Sequence, residues 1–241
     1  MGFHRIALRI AALEALAPSA AFETGTGFTT IAGNLVYDSR QDPIDELNDL
    51  EVRPLVMIFT EQEGGDPYGT GRTQPDDREL TLVFELQIAS RGTIELTKTD
   101  GSKETVGTIA VPIADSWHEA LLDVLEGQIE YAIRYGETGL LWRRFATLRK
   151  IDSVPLRQAD DKTRLAGRTV SWTVCPLGTF FAEPGFLASP PVLPQPLAGL
   201  RDALPEGSRN RDLLDSLLGF VPNPAPLTRI EGLDLTWTLK E

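Results

Sequence analysis

One cysteine and two histidines in 241 residues remove several kinds of chemistry at once. A lone Cys175 excludes an intramolecular disulfide framework and any cysteine-rich metal site. Nucleophilic catalysis of the Ser-His type has only His4 and His118 to draw on. Basic side chains are scarce as well. Against 35 Asp and Glu stand 23 Lys and Arg, a formal charge of −12, which argues against a nucleic-acid binder that works through a general basic surface. Long apolar runs are also missing. The longest uncharged stretch, 184–200, carries Pro184, Pro190, Pro191, Pro194 and Pro196, so it forms no regular membrane-spanning helix. HExxH, CxxC and EF-hand spacings are absent. Gly69-Thr-Gly-Arg-Thr73 is glycine-rich, yet it lacks the following Lys-Ser/Thr and precedes a strand, whereas a phosphate-binding loop opens a helix.

What remains is a chain with 41% hydrophobic and 24% charged residues, long enough for one large domain or a domain with an appendage. At the start, Phe3, Ile6, Ile10, Leu13 and Ala17 fall at helical spacing. Glu14 interrupts the apolar run that a signal peptide needs, so an amphipathic helix is expected rather than an export signal. Asn34–Tyr37 is a short strand candidate. Val52–Glu61 reads as a buried strand, because Leu55-Val-Met-Ile-Phe59 is continuously apolar, with Pro54 marking its start or an edge position. Gln62–Arg78, rich in glycine and proline, is expected to be a long loop. In Glu79–Ala89, Leu80, Leu82, Phe84, Leu86 and Ile88 alternate with Thr81, Glu85 and Gln87, the pattern of a half-buried antiparallel strand. Ile94–Thr97 and Thr105–Val111 flank Asp100-Gly101, a pair suited to a hairpin turn.

A second helix is signposted by a Ser116/Glu119 capping box, with Asp115 adding negative charge at its positive end. Trp117, Leu121, Leu125, Ile129 and Ile133 then recur every four residues as an apolar row expected to face the core, and Gly136 is placed to end the helix. Phe145–Val154 and Leu165–Val174 are strand candidates around a polar turn at Gln158–Thr163. The class is therefore α+β, an antiparallel or mixed β-sheet with two main helices packed on it. Residues 1–175 form the domain. Residues 176–241 hold ten of the 17 prolines and read as a Pro-rich C-terminal extension, with short helices at Leu197–Ala203 and Arg211–Leu218 and a final strand at Thr228–Leu239. That strand echoes an earlier one. Arg164–Val174 and Arg229–Leu239 share Arg, Gly, Trp and Thr at an offset of 65, which fits two strands of similar burial or a tail able to add a strand to a sheet.

Residues 42–79 carry a net −8 and 80–130 a net −6, whereas 131–175 carry +5. Oppositely charged faces suit stacking on partners, and an ordinary solvated surface fits as well. His4 and His118 are expected at the surface and Cys175 in the interior. Asp42, Asp45, Glu46 and Asp49 form an acidic loop without the alternate-residue spacing of a calcium loop. Asp76, Asp77 and Glu79 read likewise as solvated acids. Arg143, Arg144, Arg149 and Lys150, with Trp142 before them, form either a contact patch for an acidic partner or the charged outer face of a half-buried strand.

Arg5–Ala17, Val36-Tyr-Asp38, Arg53–Phe59, Leu80–Ile88, Leu121–Ile133, Phe145–Val154 and Leu165–Val174 follow one another in an order that resembles the bacteriophage tail terminator family, also called tail completion or minor tail proteins. Ile151-Asp-Ser-Val154 ahead of Thr169-Val-Ser-Trp172 is similar to that family's late segments. The resemblance covers roughly 1–175. The hairpin at 94–111 and the tail beyond 175 look like additions. It implies a structural virion protein rather than an enzyme, with no cofactor and no metal. Such proteins form a six-membered ring on the head-proximal end of the tail tube, stop its polymerisation and dock the head connector protein. DNA passes through the ring without being gripped, and the resemblance places Asp42, Asp45, Glu46 and Asp49 toward that lumen and the basic segment toward the tail tube protein or the next subunit. Another head–tail connector ring protein fits the same pattern. A small-ligand or hydrolytic enzyme and an adaptor that binds peptides along a sheet edge are the alternatives from other classes.

Overall fold

In a computed structural model the described residues are 2–39, 52–64, 79–97, 102–157, 164–177, 193 and 195–218. The elements run α1 (Gly2–Leu16), α2 (Ser19–Thr24), β1 (Val36–Asp38), β2 (Arg53–Gly64), β3 (Glu79–Thr97), β4 (Lys103–Ala110), α3 (Ser116–Arg134), α4 (Leu140–Arg143), β5 (Ala146–Arg157), β6 (Arg164–Pro176), α5 (Leu197–Ala203) and α6 (Arg209–Leu218). The strands form one open, mixed sheet in the order β1-β2-β3-β6-β5, with β4 attached to β3. Among the described residues only β1 and β2 are parallel; the remaining pairs are antiparallel. This is an α+β domain, as expected.

The core lies where α1 and α3 cover one face of the sheet. Leu80, Leu82, Phe84, Leu86 and Ile88 of β3 and Val170, Trp172 and Val174 of β6 meet Leu8, Ile10 and Leu16 of α1 and Leu122, Leu125 and Ile129 of α3. Trp172 stacks edge-on against Phe84, with ring centroids 5.1 Å apart, and against Trp142, 5.8 Å away. Leu193, Leu197, Leu200, Leu204 and Leu214 belong to the same cluster, so α5 and α6 pack onto this core.

Several expectations change at this level. The reverse face of β3 is more covered than expected: Val83, Gln87 and Ala89 are buried and Thr81 and Glu85 half-buried, with Ala89 joining Leu35, Tyr37, Leu55 and Met57 in a second apolar cluster. Ile94–Thr97 is no separate strand but the end of β3. The hairpin stands, in register from Ser90↔Ala110 to Thr97↔Lys103; its Asp100-Gly101 turn lies outside the described residues. β2 runs to Gly64, three residues past the expected end. The remainder of the 62–78 loop, the 158–163 turn and the 228–239 strand also lie outside the described residues.

α1 is enclosed nearly all round, since Ala7, Leu8, Ile10, Ala11, Ala12, Ala15 and Leu16 are all inaccessible. His4, expected at the surface, is only 5% exposed for that reason. Arg9 and Glu14 are the helix's polar anchors. Arg9 donates to Asp38 Oδ1 at 2.6 Å and Thr60 Oγ1 at 3.0 Å, tying α1 to β1 and β2. Glu14 accepts from the Ser19 N–H at 2.8 Å, the Ser19 hydroxyl at 2.7 Å and Asn210 Nδ2 at 3.1 Å, linking α1, α2 and α6.

Candidate partner-binding surfaces

α3 organises the surface, and its start differs from the capping box expected. Asp115 is the N-cap; its carboxylate accepts from the backbone N–H of Trp117 at 2.9 Å and of His118 at 2.8 Å. The His118 N–H, the largest influence, holds the Asp115 carboxyl below its ordinary value of 3.8. His118 Nδ1 lies 3.0 Å from the same carboxylate, at ion-pair distance but without hydrogen-bond alignment.

The four-residue row holds from Leu121 to Ile133 and fails at Trp117 for a geometric reason. Each step of four advances about 40° around a helix of 3.6 residues per turn, so Trp117 and Ile133 end up on nearly opposite sides. Leu125, Ile129 and Ile133 of the row are buried, joined by Leu122 and Ala132, and Leu121 packs at the edge of the core. Trp117 is 67% exposed. Together with Val124, Tyr131 and Tyr135 it forms an outward apolar stripe, every member about half exposed or more. Tyr131 and Tyr135 sit with ring centroids 6.2 Å apart, and the Arg134 guanidinium lies 5.0 Å over the Tyr135 ring.

A third face of α3 is acidic and clamps the helix to β6. Arg168 donates to Asp123 at 2.8 Å, to Glu126 at 2.7 Å and to Glu119 at 3.1 Å; Arg164 reaches Glu119 at 2.9 Å. Desolvation works against the Arg168 charge, but the hydrogen bonds to Glu126 and Asp123 outweigh it and raise its pKa above the ordinary value. These carboxylates are engaged in holding the fold.

The basic segment divides into two groups. Trp142, expected as an exposed contact aromatic, is 2% exposed and belongs to the core. Arg143 turns back to donate to Ile133 O at 2.7 Å and Gly136 O at 3.0 Å, satisfying carbonyls left open where α3 ends. Arg144, Arg149 and Lys150 are exposed, with Lys150 2.7 Å from Asp152. Arg149 sits at a bulge in β5, between the pairs Leu148↔Val174 and Lys150↔Thr173. Among the described residues β5 pairs only with β6, so its other edge is open.

Gly136 follows the helix as expected, though its role is close approach: a Cβ there would lie 2.8 Å from the Ala132 carbonyl oxygen. Gly139, which the sequence reading passed over, is tighter still, at 2.2 Å from the Ile133 oxygen. The expected lumen acids Asp42, Asp45, Glu46 and Asp49 lie outside the described residues, as do Asp76 and Asp77; Glu79 is exposed. Cys175 is buried, as expected.

A cleft of about 290 Å³ opens where α1 ends, lined by Leu13, Ala17, Phe22 and Val36 with Ser19 and Asn210 at its polar side. Among the described residues no group of three or more His, Cys, Asp or Glu side chains is arranged to hold a metal ion, and no helix is long and apolar enough to cross a membrane. No protein-family model matches this sequence, and no curated protein matches it.

Proposed function

We propose that this chain is a structural virion protein that caps the head-proximal end of a phage tail tube as a homohexameric ring, stops tube polymerisation and presents the docking surface for the head connector. One observation carries this reading. α1, β1, β2, β3, α3, β5 and β6 follow in the order of the family resemblance and build a single open sheet with α1 and α3 on one face. In this reading the exposed cations Arg144, Arg149 and Lys150 meet acidic surfaces of the tube or of the neighbouring subunit. Asp42, Asp45, Glu46 and Asp49 face the lumen, where negative charge repels the phosphates of passing DNA. The finer architecture belongs to the same proposal: residues 176–241 are a Pro-rich extension whose last element, Thr228–Leu239, is a strand.

The test is charge reversal confined to the surface. Arg144, Arg149 and Lys150 are changed together to Glu, while Trp142 and Arg143 are left alone because they hold the core and the end of α3. The variant is expected to melt like the parent and to lose tube binding; a variant that binds tubes like the parent removes the assigned surface. The open edge of β5 favours a second reading, an adaptor that takes up an extended peptide as an added strand. A tube cap binds tail tubes, whereas the adaptor binds isolated extended peptides.

A further inference from the structure

β5 is the last strand of the described sheet, and among the described residues it pairs only with β6. On the side of the helices, Leu148 and Ile151 pack against the core yet stay only half-buried. A notch between α3 and this edge is lined by Ile129, Ile151, Val170 and Trp172, with Glu126 and Glu130. The outer face is wetter. Lys150 and Asp152 form a 2.7 Å ion pair there, and Val154 is 60% exposed. The bulge at Arg149 and the proline at 155 confine an incoming strand to the stretch Lys150–Val154.

The tail of the chain carries a segment with the chemistry of β6, the strand that already lies along β5. At an offset of 65, Arg164, Gly167, Trp172 and Thr173 of β6 have Arg229, Gly232, Trp237 and Thr238 as counterparts. β6 turns Val170, Trp172 and Val174 into the core. Their counterparts are Leu235, Trp237 and Leu239, which alternate with Asp234, Thr236 and Thr238. That is the period of a strand with one apolar face. Arg168 and Ala166 have Leu233 and Glu231 as counterparts, so the likeness is to the 170–174 end of β6.

Residues 219–227 lead to this segment from α6 and contain Pro222, Pro224 and Pro226. Alternate prolines hold such a spacer extended, over about 28 Å at about 3.1 Å per residue. α6 begins beside β1: Asn210 donates to Glu14 of α1, and Asn210 and Val36 line the same cleft. β1 stands at the opposite end of the strand order from β5, four strand spacings or about 19 Å away. To reach its own β5 the tail would have to cross the layer of α1 and α3 and fold down again. A stiff spacer directed outward delivers it to a neighbour instead.

We infer that Thr228–Leu239 of one copy adds as a strand to the β5 edge of a second copy of this chain. Backbone pairing along Lys150–Val154 supplies the affinity, and the apolar face of the added strand covers Ile151 from the side opposite Trp172. Repeating the antiparallel register of β6 sets Trp237 beside Ile151 and Asp234 beside Val154. The giving and receiving surfaces differ, so the contact is head-to-tail and closes into a ring or continues as a filament. The inference rests on the strand proposed at Thr228–Leu239, and it stands whether or not the assembly caps a tube.

The test is disulfide trapping between two full-length chains, one tagged so that the mixed pair is distinguished by mass. One chain carries Val154→Cys, and the other carries Asp234→Cys, Thr236→Cys or Thr238→Cys. Directly opposed strand residues bring their Cα atoms within about 4.5–5.5 Å, inside disulfide reach. Under mild oxidation the mixed pair is expected to form about fivefold more with Asp234→Cys than with Thr238→Cys, which the register sets farther along the strand. Adding Leu235→Pro to the donor chain is expected to lower that yield about fivefold, because proline disrupts strand pairing. A mixture that yields no mixed pair at any of the three positions overturns the inference. So does equal yield from all three, or a yield that Leu235→Pro leaves unchanged. A chain bearing both Val154→Cys and Asp234→Cys that cross-links only within itself overturns donation between copies. No tail tube is present, so failure of the tube-cap reading leaves the outcome untouched.

Discussion

Replacing Trp142 by Ala separates the two halves of the basic segment more sharply than any other change. Its indole is 2% exposed and packs edge-on against Trp172 with centroids 5.8 Å apart, which joins α4 to the centre of the sheet. Removing a fully buried tryptophan costs about 3–5 kcal/mol through lost transfer energy and the cavity left behind. Trp142→Phe is expected to cost less, about 1–2 kcal/mol, because the ring is largely retained. Among the described residues the Trp142 indole N–H has no hydrogen-bond partner, so Phe removes a buried donor that none of them satisfies. Urea unfolding followed by far-ultraviolet circular dichroism measures both. With a slope of about 2–3 kcal/mol/M, the Ala variant is expected to unfold about 1–2 M earlier than the parent. Arg144→Glu, two residues along, is expected to shift stability by no more than about 0.5 kcal/mol. A Trp142→Ala loss below about 1 kcal/mol would refute the placement of α4 in the core, and with it the division of the basic segment.

Gly139→Ala is expected to lower thermal stability by at least about 2 kcal/mol, since a Cβ there meets two backbone oxygens at 2.2 and 2.4 Å; an unchanged melting temperature would count against this α3–α4 turn. Arg168→Met is expected to cost about 2 kcal/mol by leaving Asp123 and Glu126 without their cation while Glu119 keeps Arg164, and a denaturation curve like the parent's would show that the clamp contributes nothing. The Asp115 carboxyl is held below 3.8, so its contribution to stability is present above that pH and is lost as pH falls through the lowered folded value. Asp115→Asn keeps a capping oxygen but cannot titrate. Its acid unfolding is therefore expected to be less steep than the parent's below pH 3.8, and superimposable curves would contradict the cap.

Most strands were legible because burial writes a short-period pattern. Leu55-Val-Met-Ile-Phe59 and the Leu80–Ile88 alternation marked β2 and β3 correctly, and Leu197–Ala203 marked α5 to the residue. The failures share a cause, which is that tertiary surroundings decide what a local pattern leaves open. Glu79–Ala89 gives no sign that Gln87, among its polar positions, is buried on the reverse face. A row of five apolar residues at spacing four cannot all face one way, and the drift sent Trp117 outward. Against 3.6 residues per turn, Trp117, Val124 and Tyr131, seven residues apart, make a second stripe. Trp142 stood among arginines and read as surface, yet its neighbour in space is Trp172, thirty positions away in the chain. His4 likewise depended on how fully α1 is enclosed. The partner surfaces were the least legible part, because an exposed apolar side chain and a buried one of the same type read alike in the sequence.

The account turns on assembly, so the most direct measurement is native mass spectrometry of the full chain across a wide range of concentration. A ring-forming tube cap predicts a discrete species of six chains, each of 26.4 kDa, that persists on dilution into the micromolar range. A strict monomer at every concentration would contradict the ring. An open-ended ladder of sizes would contradict the closed ring alone.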